Sequence, residues 1–187
     1  TAEDMFKQGL LGGNMKYNVW NKLVRRNLYT DNDITFPAGH AMGEDMTMIR
    51  LAACAETVAY VPRALYHYVK LNANADSATM SDKHKVDIRY NVDQTVEFLK
   101  KRFGNSLDKE IAFFKLNTKL PFLITDDEVQ YEVWKEWWPE ANEYICENRH
   151  QAFRTRLVQW FAAKGQFWAV KLYFKVVYKL VYGVIYK

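Results

Sequence analysis

The residues best placed to do chemistry are two adjacent carboxylates, Glu44 and Asp45. They lie in the stretch Phe36-Pro37-Ala38-Gly39-His40-Ala41-Met42-Gly43-Glu44-Asp45-Met46. A carboxylate that is ionised at neutral pH and within hydrogen-bond reach of a substrate suits a catalytic acid or base. The elements around the pair must hold it in place. Pro37 disfavours helix in Phe36, and Gly39 and Gly43 permit turns that other residues resist. Met46, Ile49 and Ala53 at helical spacing predict a helix over about residues 44–55. The pair then stands at a loop-to-helix junction, where a side chain can face a cleft while its backbone is anchored. The local pattern also fits a structural role, because acidic residues in a first turn complement the helix dipole.

Residues 2–11 read as a short helix ending at Gly12-Gly13. Within 17–28 the first half reads as extended and the second as the beginning of a helix. Residues 30–33 form a polar turn and 34–36 a short extended piece. Downstream, 57–61 and 64–69 are β-branched or aromatic and separated by Pro62, which predicts two short strands. Residues 71–79 are a polar loop, and a domain boundary falls near Ser81.

Beyond it the chain reads as nearly all helix. Ser81 is a good N-cap, Ile88, Val92, Val96, Leu99 and Phe103 follow at spacings of four and three, and Gly104 supplies the stop. Ser106 opens a second helix with Leu107, Ile111 and Phe114 inward, ended by Pro121. Thr125-Asp126-Asp127-Glu128 is a capping-box pattern, and Val129, Val133 and Trp137 share a face of the helix after it. Pro139 interrupts before a short helix to about residue 148. Phe153, Leu157, Trp160 and Phe161 mark another helix, broken by Gly165. The chain shows neither an internal repeat nor a low-complexity segment.

At 187 residues and 49% hydrophobic content the chain is long and apolar enough for one domain with a real core, or a modest domain with an appendage. Cys54 and Cys146 form no CxxC pair and read as reduced thiols of a cytosolic protein. No secretory signal opens the chain, and its start at Thr1 raises the expectation of a piece of something longer. The net charge of +4 is uneven: residues 149–187 hold eight Lys or Arg and no Asp or Glu, leaving 18 basic against 22 acidic residues elsewhere. A mildly acidic body with a basic tail points the tail toward an anionic surface.

In that tail Lys171, Lys175, Lys179 and Lys187 recur on one side of a predicted helix, beside Tyr178, Tyr182 and Tyr186. A span of ~20 residues could cross a bilayer, but a lysine at its centre costs ~2.5–3.5 kcal/mol. A helix lying in the interface keeps the lysines among headgroups. The same pattern fits a helix packed into a core or a dimer interface.

A set of segments in one order carries a resemblance: Trp20-Asn21-Lys22-Leu23-Val24-Arg25-Arg26, Phe36-Pro37-Ala38-Gly39, Gly43-Glu44-Asp45-Met46, Tyr60-Val61-Pro62-Arg63-Ala64-Leu65-Tyr66-His67-Tyr68-Val69 and Ser77-Ala78-Thr79. The series resembles the second half of the catalytic domain of family 2 glycosyltransferases with the GT-A fold, especially bacterial enzymes that build surface glycans. It covers about residues 1–80. Residues 81–187 look like the variable helical extension such enzymes often carry. The fold expected is predominantly α with a few short strands: the acceptor-side part of an α/β GT-A domain, then a helical extension with a basic amphipathic last helix.

By this resemblance Asp45 matches the catalytic base that takes the proton from an acceptor hydroxyl as it attacks the anomeric carbon, and Glu44 positions the acceptor or supports Asp45. Trp20 and Lys22 match the segment before the acceptor cleft, the indole offering a sugar ring a face and the lysine meeting a diphosphate. Singly, they fit a core tryptophan and a solvated lysine equally well. His67 occupies a plausible place for an extra ligand to the divalent metal, Mg or Mn, expected in the full-length enzyme, although a histidine between two tyrosines is more often packing. His40 is a weaker candidate still. The family's DxD metal motif and nucleotide-binding units belong before Trp20 and have no counterpart here. Asp31-Asn32-Asp33 lies on the wrong side of the Trp-Lys segment and reads as a turn.

The resemblance thus implies the acceptor-side portion of a transferase moving a sugar from a nucleotide-sugar donor to a glycan or lipid-linked acceptor, inactive alone, peripheral at the cytoplasmic face of the membrane through residues 149–187, and possibly homo-oligomeric. The other reading is a non-enzymatic helical module that binds membrane or protein. A nucleic-acid role is disfavoured by the acidic body and the lack of a reading motif.

Overall fold

The computed structural model describes residues 1–14, 17–67 and 81–177. These residues are helical or irregular, and no strand occurs among them. This corrects the expectation of short strands at 57–61 and 64–69: residues 57–67 run as exposed irregular backbone. Residues 68–69 and the predicted loop 71–79 lie outside the described residues. Strand-forming side chains do not make a strand without a neighbour to take its backbone hydrogen bonds, and no described segment is paired with 57–67.

The chain packs as two compact units, Thr1–Met5 with Lys16–Leu107, and Phe6–Met15 with Asp108–Lys187. This division by packing differs in kind from the boundary near Ser81, which rests on the polar loop before it and on where the family likeness ends.

The first unit contains α1 (Ala2–Met5), a turn of 3-10 helix at Val19–Asn21, α2 (Arg26–Thr30), α3 (Glu44–Cys54) and α4 (Asp82–Phe103). The predicted helices 44–55 and 81–103 are present nearly to the residue. α3 buries Met46, Met48, Ile49 and Leu51 and packs on α4, which buries Val92, Val96 and Leu99. At the start of α4 the Ser81 hydroxyl accepts the His84 N–H at 3.2 Å, and the His84 ring accepts the Ser81 N–H at 3.4 Å. This is a reciprocal cap with histidine in the usual place of Glu or Gln. Gly104 ends the helix at φ 61°, the backbone turn its lack of a side chain allows.

The second unit is built on α5 (Asp108–Lys119), whose Ile111, Phe113, Phe114 and Leu116 are buried. Against it packs Phe6–Asn14, with Phe6 and Leu11 buried. This segment is not the continuous helix read over 2–11, because Gly9 and Gly13 take φ of 106° and 120° and break the winding. A 3-10 turn (Leu120–Leu123), α6 (Glu128–Glu136), a second 3-10 turn (Pro139–Tyr144), α7 (Phe153–Ala163) and α8 (Phe167–Tyr173) follow. Helical winding continues to Val177.

In two helices the residues that mark the pattern are not the ones turned inward. α6 is capped by Asp127, which accepts the Val129 N–H at 3.0 Å, and it buries Tyr131 and Trp134 while Val129 is exposed. α7 buries Val158, Gln159 and Ala162, leaving Phe153, Leu157 and Trp160 outside. Both helices carry apolar residues on more than one side, so periodicity gives the helix but not its rotation. α8 turns Val170 inward, stacks Phe167 on Tyr131 at 5.2 Å and pairs Lys171 with Glu128 at 2.6 Å. Residues 178–187, with Lys179, Lys187 and the three tyrosines, lie outside the described residues. No described helix is long and apolar enough to cross a membrane.

A buried lysine ties this unit together. Lys119 Nζ donates to the carbonyls of Trp137 and Trp138 at 2.7 and 3.3 Å and to Asn142 Oδ1 at 2.8 Å, and sits 4.2 Å from the centre of the Trp134 ring. Those carbonyls belong to the turn after α6, where Trp138 adopts a left-handed φ of 44° that a side chain disfavours. Burial pushes the Lys119 ammonium down to about 7; the Glu140 charge opposes this and the Lys115 charge adds to it.

Candidate functional site

Glu44 and Asp45 form the first turn of α3, as the sequence predicts. Their approach is set by Met42, which takes a left-handed φ of 56°, and by Gly43, which has ordinary backbone angles and is buried. Gly43 is required by contact: a β-carbon there would fall 2.1 Å from Pro37 Cγ. Pro37 therefore packs directly on the backbone at the entry to α3.

α4 anchors the same loop. The Asp87 carboxylate, nearly fully buried, accepts the Ala41 N–H at 3.0 Å, meets His40 Nδ1 at 2.9 Å and accepts from Lys83 Nζ at 3.0 Å. One turn on, Asn91 Nδ2 donates to the Ala41 carbonyl at 2.9 Å. Both polar groups of the Ala41 backbone are thus held by residues four apart on α4. The hydrogen bonds from Ala41, Lys83 and His40 hold the Asp87 carboxyl down to about 2. The His40 ring also stacks on Tyr90 at 4.0 Å. His40 is therefore a structural link between loop and helix.

The sequence-derived candidates Trp20, Lys22, Glu44 and Asp45 come together here. Glu44 Oε2 accepts the Val19 N–H at 3.4 Å, joining α3 to the turn that carries Trp20. Lys22 Nζ donates to the Asn18 carbonyl at 2.8 Å and to Asn21 Oδ1 at 2.7 Å. Trp20 stacks on Tyr66 with ring centres 4.5 Å apart.

The electrostatics of Lys22 and Asp45 are mutual. Burial raises the Asp45 carboxyl first, the Glu44 charge raises it further, and Lys22 opposes both. Burial lowers the Lys22 ammonium, while Asp45 and Glu44 act the other way. Tyr17, also buried, has its phenol pushed well above its usual range by burial and then by Asp45. A half-buried carboxylate with a raised pKa, next to a second carboxylate and a lysine, is a stronger proton acceptor than a free aspartate. Neither Tyr17 nor Tyr66 is given a role by the sequence: Tyr17 lies in a segment read only for secondary structure, and Tyr66 in one read for secondary structure and quoted for the resemblance.

A concavity of about 150 Å³ lies elsewhere in this unit, between residues 35–38, α3 and α4. Phe36, Arg50, Tyr90 and Gln94 line it, and Asp45 and Glu44 do not. His67 is exposed. No group of three or more His, Cys, Asp or Glu that could hold a metal occurs among the described residues. They give a divalent ion no ligand set around His67.

No family model matches the chain, and neither a curated protein nor a solved structure matches it.

Proposed function

We propose that this chain is the acceptor-side portion of a glycosyltransferase that moves a sugar from a nucleotide-sugar donor to a glycan or lipid-linked acceptor, as an α/β GT-A domain with a helical extension. The observation that supports it is the convergence of Trp20, Lys22, Glu44 and Asp45, chosen from separate segments by family likeness and gathered at one helix start. In this reading Asp45 takes the proton from the acceptor hydroxyl as that oxygen forms its bond to the anomeric carbon and the nucleotide diphosphate leaves. Glu44 holds the Trp20 turn through the Val19 N–H, raises the basicity of Asp45 by its charge, and so acts as a positioning residue. Trp20, backed by Tyr66, offers a sugar ring an apolar face, and Lys22 offers a diphosphate a positive charge. A divalent metal bound with the donor half would neutralise the leaving diphosphate. The enzyme works at the cytoplasmic face of the membrane.

The test is transfer from nucleotide sugars by the protein carrying the donor-binding half. Asp45→Asn should lower turnover at least about 100-fold, the lower end of what a general base contributes, with donor affinity unchanged. On the acid side the wild-type rate should rise with pH around an apparent pKa above that of an ordinary aspartate, and Asp45→Asn should lose this limb. Unchanged turnover would remove Asp45 from the role. A second reading, a non-enzymatic helical module, is favoured by the apolar residues that α7 and α8 leave outside; it requires no dependence of any activity on Glu44 or Asp45.

A further inference from the structure

We propose that the outward faces of α7 and α8 dock on an anionic lipid membrane. On α7, Phe153 is 71% exposed and Trp160 39%, with Leu157 exposed between them. On α8, Trp168 is 68% exposed, and Leu172 and, in the winding beyond α8, Val176 follow it at steps of four. Each set is a helical stripe turned away from the core, and contiguous exposed apolar surface of this kind marks interaction sites. Exposed basic side chains occur in the same part of the chain. Arg149, Arg154, Lys164 and Lys175 are exposed and have no ion-pair partner among the described residues, whereas Lys171 is taken by Glu128. No acidic residue occurs from Arg149 to Lys187.

A segment that exposes both tryptophans and uncompensated cations suits the headgroup boundary of an anionic leaflet, where rings sink in and ammonium groups stay with phosphate. A second copy would set one basic face against another. A nucleic acid would leave Leu157, Leu172 and Val176 without apolar partners. The proposal gives the peripheral location above a defined surface and shares no residue with the Asp45 site, so either can fail alone.

Cosedimentation of this chain with phosphatidylcholine vesicles, with and without phosphatidylglycerol, tests it. Affinity for the anionic vesicles should be at least about tenfold higher and should fall as salt is added. Trp160→Ser with Trp168→Ser, and separately Lys164→Glu with Lys175→Glu, should each weaken it about tenfold or more, with helical circular dichroism retained because all four side chains are exposed. Asp45→Asn should bind as the wild type does. Equal binding to neutral vesicles, no binding, or tight binding untouched by both double variants would overturn the proposal. So would a dimer, or a complex with single-stranded nucleic acid, that the same variants abolish without any vesicle binding.

Discussion

Pro37 and Gly43 meet at the entry to α3, with the proline ring lying where a β-carbon of residue 43 would be. Gly43→Ala must push Pro37 aside or shift the first turn that carries Glu44 and Asp45. The expected cost is about 1–3 kcal/mol, the range for overpacking a filled site. Gly39 is the comparison: its φ is 78° and nothing lies within 4 Å of a β-carbon there. Gly39→Ala should cost only the left-handed strain, about 1–2 kcal/mol, without disturbing α3. Denaturant midpoints for both variants, with amide exchange at Glu44 as a local readout, separate the two effects. A Gly43→Ala protein with α3 exchange unchanged would show that Pro37 yields freely.

Asp87 makes the stability of the first unit sensitive to acid. Its folded pKa of about 2 lies below the unfolded value. Its contribution is therefore complete above the ordinary aspartate pKa and is lost as pH falls from there through about 2. Unfolding midpoints of the wild type and Asp87→Asn should differ most near neutrality and converge as the pH drops through that window. A gap that stayed constant with pH would mean that shape, and not ionisation, supplies the effect.

Lys119 is expected to be among the least replaceable residues of the second unit. Lys119→Met keeps the length of the chain but strips two carbonyls and an amide of their donor inside the core. Leaving buried acceptors unpaired should destabilise by about 2–4 kcal/mol. Lys115, one turn earlier, pairs with the exposed Glu140 at 2.6 Å, and Lys115→Met should cost under about 1 kcal/mol. Equal effects of the two on thermal unfolding would contradict the role given to the Trp137 and Trp138 carbonyls.

How much of this was readable from the sequence varied with the physics of each element. The ends of α4 are fixed by local chemistry, through the Ser81 hydroxyl and Gly104, and local chemistry is legible. Gly43 at the start of α3, by contrast, reads as a turn-former but has ordinary backbone angles and is required by its contact with Pro37. The rotation of α6 and α7 is decided by which of two apolar sides finds a partner, and that choice is tertiary. The segment 57–67 has strand-forming residues, but pairing is a property of neighbours. Asp87 and Asn91 were missed because a polar residue on a helix reads as solvated. A signal was present: Lys83, Asp87, Asn91 and Thr95 recur every fourth residue beside the buried Val92, Val96 and Leu99. The meeting of Trp20 and Lys22 with Glu44 and Asp45 came from family likeness alone, since nothing in a spacing of more than twenty residues dictates it.

The packing of Phe6–Asn14 on α5 has a consequence for synthesis. This segment leaves the ribosome more than ninety residues before its partner helix exists. Phe6 and Leu11 must then wait, uncovered, while the whole of the other unit is translated. Closing so long a loop is slow, so the newborn chain passes through a stage in which the first unit can settle while residues 6–14 still seek a helix not yet made.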